Sequence, residues 1–124
     1  MESRMTIAQE PATQTSLGQP VILRVGKSLD FRNADEFKQA CQEKVAAGGR
    51  HFILDFSETS LLDSMGLGAI FALHRQITPQ GGEVVFACLS YPIQMVVQLT
   101  GIYRVFTCYP SLQAARTALA FGSL

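Results

Sequence analysis

The chain has 124 residues, of which 48 % are hydrophobic and 16 % are charged; this composition predicts one globular domain with its own core and excludes a disordered chain. Ten Lys and Arg residues balance ten Asp and Glu residues, so no global field directs the protein to nucleic acid or to an anionic membrane, and a protein partner or a small ligand is favoured. The N-terminus shows no secretory signal, and no apolar run approaches the ~18 residues of a membrane helix, which predicts a cytoplasmic protein without membrane insertion.

Strand and helix patterns alternate along the chain. This order predicts an α/β fold with a mixed, largely parallel sheet of four to five strands and about four helices. Asn33 precedes the first helix and Glu36 follows three residues later, a capping-box pattern, and a pair of glycines ends that helix. Ser90 and Ser111 are expected to cap the last two helices. The predicted strands cover residues 5–9, 21–25, 51–54, 83–88 and 105–109.

The three cysteines are widely spaced and have no neighbouring histidine. Their odd number favours reduced thiols over a disulfide framework. Cys41, Cys88 and Cys108 are therefore interpreted as small apolar residues rather than metal ligands, and no metal or cofactor site is expected.

The most informative segment is the polar loop at residues 55–63, which joins the apolar strand 51–54 to a helix predicted over residues 64–77. Asp63 and Ser64 stand at the mouth of this helix, at the edge where open α/β sheets commonly carry their sites. A serine there has a free hydroxyl, backbone N–H groups and the positive end of the helix dipole, all of which suit a phosphate. We interpret Ser64 as a phosphorylation switch; a plain helix cap without regulation is the alternative.

The same helix carries two further signs of a contact surface. Gly66 and Gly68 lie in its first turn, where each glycine costs about 1 kcal/mol relative to alanine. Close approach of a partner or of the adjacent strand explains such glycines; both explanations stay open for Gly66, and a partner is favoured for Gly68. A second stripe of Leu67, Phe71 and His74 is apolar enough for a contact surface, with core packing as the alternative.

Catalysis is not expected. A hydrolase serine needs a base and an orienting acid, and the two histidines, His51 and His74, are predicted in a strand and nearly three helical turns from Ser64. The sequence contains no G-x-S-x-G elbow, no Walker loop and no dinucleotide glycine fingerprint.

The order of these motifs resembles the STAS-domain family, and in particular its stand-alone bacterial anti-sigma factor antagonists. The resemblance covers about residues 6–120 of a single domain spanning 1–124. Two departures are a methionine, Met65, where the family often has a small residue, and a longer loop at residues 10–19. The matching strings are G-K-S-L-D at 26–30 with N-A at 33–34, D-S-M-G-L-G at 63–68, G-G-E at 81–83 and L-T-G-I-Y-R-V-F at 99–106.

The resemblance implies a partner-switching module in which Ser64 is the phosphoacceptor. Unphosphorylated antagonists bind an anti-sigma factor that is also a GHKL-type serine kinase; phosphorylation ends this binding, and a metal-dependent serine phosphatase restores it. The alternatives are a non-switching STAS subunit of a lipid-transport ATPase and a STAS domain that binds a small ligand. Oligomeric state is not predicted, although the helix surface would suit a weak dimer. The implied partner-binding residues are Asp30, Asn33, Asp63, Met65, Gly66, Leu67 and Gly68, with Phe71 added from the second stripe.

Overall fold

The computed structural model describes residues 19–122, which form strands and helices in alternation. The predicted strand at residues 5–9 and most of the long loop at 10–19 lie outside these residues. The elements are β1 (Val21–Arg24), β2 (Ser28–Leu29), α1 (Ala34–Ala46), β3 (His51–Asp55), β4 (Leu61–Leu62), α2 (Ser64–Ile77), β5 (Glu83–Ala87), α3 (Tyr91–Thr100), β6 (Cys108–Tyr109) and α4 (Leu112–Gly122).

The central sheet has the spatial order β1-β3-β5-β6, and every one of these pairings is parallel. β3 lies inside the sheet, and Phe52, Ile53 and Leu54 are fully buried, because a strand covered on both faces needs apolar side chains at consecutive positions. The predicted α/β fold with a largely parallel sheet and four helices is confirmed.

The helices cover the two faces of the sheet unequally. Helices α1, α2 and α3 pack on one face, and α4 packs on the other. Alternation along β1 shows this division, because Val21 and Leu23 belong to the larger cluster and Ile22 to the smaller one. Hydrophobic burial on these two faces is the main source of the protein's stability. It also holds in place the carboxyl ends of the strands, where the polar loops lie.

Local capping signals predict the helix ends well. Ser90 accepts a hydrogen bond from the Ile93 N–H at 3.4 Å, and Ser111 accepts one from the Ala114 N–H at 3.0 Å. The predicted capping box at Asn33 is wrong, because its side chain makes no cap hydrogen bond to the helix. It instead accepts from the Asp30 N–H and donates to the Ser28 carbonyl, each at 2.9 Å, and so braces the preceding loop.

The last predicted strand, over residues 105–109, is too long. Residues Ile102–Arg104 form a 3₁₀ turn, and the pairing with β5 is limited to Cys108 and Tyr109. The N–H groups of Val105 and Phe106 both donate to the Ile102 carbonyl, so neither is available to the sheet.

Two short strands were missing from the prediction. Parallel pairing joins β2 to β4, with Ser28 opposite Leu61 and Leu29 opposite Leu62. Two residues are too few to show the alternation by which a strand is recognised. Their pairing brings the loop after β2 beside the start of α2, where Ser64 lies.

Candidate functional site around Ser64

Asp63 is the residue that organises the start of α2. One carboxylate oxygen, Oδ1, accepts a hydrogen bond from the Gly66 N–H at 2.9 Å, and the other, Oδ2, accepts one from the Phe31 N–H at 3.0 Å. The first bond caps the helix. The second fastens the loop between β2 and α1 to the residue that precedes Ser64, so a single side chain holds the two segments together.

Ser64 is the first residue of α2 and is exposed to solvent. The predicted start of the helix at this residue is confirmed. The first N–H groups of a helix have no partner within it, and in the part of the chain that the structure describes those of Ser64 and Met65 meet no acceptor. The Ser64 hydroxyl therefore lies in the open, beside two available donors and the positive end of the helix dipole.

Gly66 is explained by its own fold rather than by a partner. A Cβ placed on Gly66 would lie 2.3 Å from the Leu29 carbonyl oxygen and 2.9 Å from the Leu29 carbonyl carbon. The backbone of β2 thus occupies the space that any side chain would need, and Gly66 is buried. Of the two explanations left open for Gly66, close approach of a neighbouring strand is the one that the structure shows, and the residue is not available to a partner as the resemblance implies. Gly68 is exposed, and a Cβ added there would have nothing within 4 Å; its contact with a partner stays a prediction.

Asp30 also lies inside the fold, with only 2 % of its surface exposed. Its carboxylate accepts hydrogen bonds from the Arg32 side chain, at 2.7 Å from Nη2 and 3.2 Å from Nε, and from the Arg32 backbone N–H at 3.0 Å. The side-chain hydrogen bonds from Arg32 hold the pKa of Asp30 below its ordinary value. Asp30 therefore shapes the loop from inside the fold, and the partner contact that the resemblance implies for it stays a prediction.

Three large apolar side chains on the segments next to Ser64 face solvent. Phe31 is 69 % exposed, Met65 55 % and Leu61 48 %. Phe31 lies on the loop bonded to Asp63, and the other two lie two residues on either side of Asp63 in the chain. Of the three, only Met65 was predicted from the sequence, because one isolated apolar residue in a polar loop carries no periodic signal. We call these three residues the Ser64 patch.

Another exposed apolar surface lies along α3. The start of this helix is held at the same edge of the sheet, because the Ser90 hydroxyl donates a hydrogen bond to the Thr59 carbonyl. Tyr91, Met95 and Leu99 follow one another at a spacing of four residues and are all exposed. The sequence does not distinguish this exposed stripe from a buried one, because a spacing of four residues is also expected of helix residues that face a core.

The second stripe of α2 belongs largely to the edge of the core. Leu67 and Phe71 are half-buried against the larger cluster. The rings of Phe71 and His74 each lie with their centroids 5.2 Å from that of Phe106. Core packing thus accounts for most of this stripe, and only the outer edges of Leu67 and Phe71 remain for a partner.

Neither histidine contacts Ser64. His74 packs against Phe106 in the last turns of α2, about 15 Å along a helix from Ser64, and His51 begins β3 at the opposite edge of the sheet. Among residues 19–122, no group of three His, Cys, Asp or Glu side chains is arranged to hold a metal ion. Within the same residues, no helix is long and apolar enough to cross a membrane.

Cys41 is buried among the side chains of the larger cluster, as the sequence predicts. Burial raises the pKa of its thiol to about 12. Cys88 and Cys108 are only half-buried, and burial raises the pKa of each of these thiols as well.

The two roles of Asp63 give a stability prediction. Asp63→Ala removes the helix cap and the bond to the Phe31 N–H, and we expect the free energy of unfolding to fall by about 1–2 kcal/mol in urea titrations. Asp63→Asn retains one carbonyl oxygen, and asparagine is an equally good cap, so it should lose less than half as much. Equal stability of Asp63→Ala and the wild type would contradict these roles.

Comparisons with known proteins give a consistent result. The STAS domain family matches residues 10–115. The anti-sigma F factor antagonist of Paenibacillus polymyxa is 24 % identical over 100 residues, covering 80 % of this chain and 86 % of that protein. A crystal structure of an anti-sigma factor antagonist from Mycobacterium paratuberculosis superimposes with a TM-score of 0.77 at 24 % identity, covering 92 % of both chains.

The anti-sigma factor antagonist SpoIIAA is similar in both of its solved forms. The unphosphorylated form has a TM-score of 0.75 at 18 % identity and covers 94 % of this chain and 97 % of its own. The phosphorylated form, from Bacillus, has a TM-score of 0.66 at 19 % identity and covers 89 % and 96 %. At these identities the structures show a common fold.

Proposed function

Because this chain belongs to the STAS domain family, we propose that it is an anti-sigma factor antagonist that binds its partner around Ser64 and is released by phosphorylation of that serine. The proposal rests on the similarity to proteins named anti-sigma factor antagonist and on one observation of the structure. That observation is an exposed serine at a helix N-terminus, with the exposed apolar Ser64 patch on the neighbouring segments. The partner is an anti-sigma factor with GHKL-type serine kinase activity, and a metal-dependent serine phosphatase reverses the modification. The chain acts in the cytoplasm and has no catalytic role of its own.

The Ser64 patch suits the unphosphorylated state. Phe31, Leu61 and Met65 expose apolar surface to water whenever no partner covers them, and burying such side chains stabilises a complex by roughly 25 cal/mol per Å². The neutral Ser64 hydroxyl adds little cost, since it forms hydrogen bonds with a partner as readily as with water. A kinase also needs an accessible hydroxyl, which Ser64 provides.

Phosphorylation changes the charge of this surface without requiring a change of fold. A phosphate on Ser64 adds about −1.5 to −2 charges at pH 7. In the free protein the dianion stays hydrated, and the dipole of α2 contributes about 0.3–1 kcal/mol in its favour. Inside an apolar interface it must lose its water, and an unpaired buried charge costs several kcal/mol. Because about 1.4 kcal/mol is a tenfold change in affinity, one phosphate is sufficient to release the partner.

The experiment is a pull-down from host lysate in the presence of ATP, followed by calorimetric titration of the captured protein. Wild type and Ser64→Ala should retain a kinase-like protein, and Ser64→Asp should bind it at least about tenfold more weakly. Ser111→Asp is the matched control, since it places the same charge on an exposed helix cap of α4, on the opposite face of the sheet. It should bind as the wild type does.

Two results would contradict the proposal. If all Ser64 variants capture the same ATPase complex, the chain is a constitutive subunit and Ser64 is only a helix residue. If Ser64→Asp and Ser111→Asp weaken binding equally, the effect is one of net charge and not of the Ser64 patch.

A further inference from the structure

Arg32 presents an oriented cationic group on the loop that is bonded to Asp63. Its guanidinium is held from one side by Asp30, with Nη2 at 2.7 Å from Oδ2 and Nε at 3.2 Å from both carboxylate oxygens. The side chain of Arg32 is nevertheless 63 % exposed. A guanidinium has five N–H donors, and within the described residues the Nη1 group meets no acceptor. Asp30 thus fixes one edge of the group and leaves the other edge facing solvent.

The fold joins the loop that carries Arg32 to the segment that carries Ser64. The Phe31 N–H donates to the Asp63 carboxylate at 3.0 Å, so residues 31 and 63 are in direct contact, and Arg32 and Ser64 each follow by one position in the chain. Hydrogen bonding to Asp30 raises the pKa of Arg32, and the charge of the Asp63 carboxylate raises it further. Arg32 therefore already lies within the field of the residue next to Ser64.

We propose that Arg32 is the group that pairs with the phosphate of phosphorylated Ser64, with Asp30 holding its guanidinium in place. The inference rests on the proposed phosphorylation of Ser64 and deepens it by assigning the counter-ion. The contact is an ion pair with hydrogen bonds, and no covalent bond changes. Arginine suits this role because its planar fork binds phosphate oxygens through two donors at once. The available N–H groups of Ser64 and Met65 complete the arrangement from the helix side.

The pairing explains how Asp63 and a phosphate can be neighbours. Without a counter-ion, a dianion beside the Asp63 carboxylate is disfavoured by like-charge repulsion. Arg32 offers the N–H donors that Asp30 leaves unused, and its bonds to Asp30 keep the entropy cost of immobilising a long side chain low. The phosphorylated state of the free protein is then stabilised locally. A partner that covers the Ser64 patch must still remove water from the phosphate.

The test uses the full chain with phosphoserine encoded genetically at position 64, so neither a kinase nor a partner is required. The second ionisation of the phosphate, ordinarily near pKa ~6, is followed by ³¹P NMR. We expect this pKa to be higher by about 0.5 in Arg32→Gln than in the wild type, because the favourable charge is lost. Arg75→Gln is the matched control, since it removes an exposed arginine from the last turn of the same helix. It should change the pKa by less than about 0.1.

A second measurement does not depend on a variant. The Arg32 Nε–H resonance in ¹H–¹⁵N spectra should move on phosphorylation, while that of Arg75 should not. An unchanged phosphate pKa in Arg32→Gln together with an unmoved Arg32 resonance would overturn the pairing, and so would equal pKa changes in both arginine variants. These results concern only the counter-ion, because the pull-down tests the partner switch itself.

Discussion

Gly66→Ala is expected to lower the free energy of unfolding by about 3 kcal/mol, at the upper end of what overpacking costs. The added methyl would lie 2.3 Å from the Leu29 carbonyl oxygen. That oxygen belongs to the backbone of β2 and accepts a hydrogen bond from the Asp63 N–H at 3.3 Å, so it cannot move away without disturbing the start of α2. The gain in helix propensity from glycine to alanine, about 1 kcal/mol, does not offset this clash.

Gly68→Ala provides the matched control two residues further along the same helix. Nothing lies within 4 Å of its added methyl, and we expect it to be more stable than the wild type by about 0.5–1 kcal/mol. Urea unfolding of both variants measures the difference. Stability of Gly66→Ala within about 0.5 kcal/mol of the wild type would show that β2 and α2 separate easily, and it would contradict the close contact of Gly66 with Leu29.

Phe106→Ala is expected to be the most destabilising single change, at about 3–5 kcal/mol. The Phe106 ring is fully buried. It stacks on Phe86 at 4.7 Å between centroids and meets the edge of Phe71 at 5.2 Å. Removing it leaves a cavity that rigid β5 on one side and α2 on the other cannot close. The decrease in the free energy of unfolding is measured by urea or thermal unfolding.

Phe31→Ala is the control for this substitution at an exposed position. With 69 % of its surface in water, Phe31 contributes little to the fold, and the variant should unfold within about 0.5 kcal/mol of the wild type. Under the proposed function it should still weaken binding of the anti-sigma factor, because it removes the largest member of the Ser64 patch. A loss of less than about 1 kcal/mol in Phe106→Ala would contradict the packing described for that ring.

Local chemistry explains why α2 and α3 were predicted with the bounds that the structure gives them. Asp63 and Ser90 are capping residues followed at once by apolar periodicity, and a proline or a glycine follows each helix end. Such signals act over four or five residues, and a sequence displays them directly. The place of Ser64 at the open end of the helix follows from the same signals.

Asn33 shows where local reasoning fails. Its spacing to Glu36 predicts a capping box, but two backbone groups of the loop, the Asp30 N–H and the Ser28 carbonyl, bind its side chain instead. These groups are within five residues in sequence, yet their positions depend on the pairing of β2 with β4, which no local pattern announces. A tertiary constraint therefore decided between two hydrogen bonds that the sequence allows equally.

The sequence by itself determined the α/β class, the helix that begins at Ser64 and the position of the serine at its start, because periodicity and capping are properties of neighbouring residues. Only the tertiary structure decided that Gly66 serves the contact with Leu29, that Asp30 is buried, and that the loop carrying Arg32 is bonded to Asp63. These three results depend on contacts between segments that are distant in the chain, or on the loop that such contacts hold in place. The physical reason is that the burial of a residue, and the free space around it, depend on which segment packs against it. Which segment packs there is determined by the whole fold.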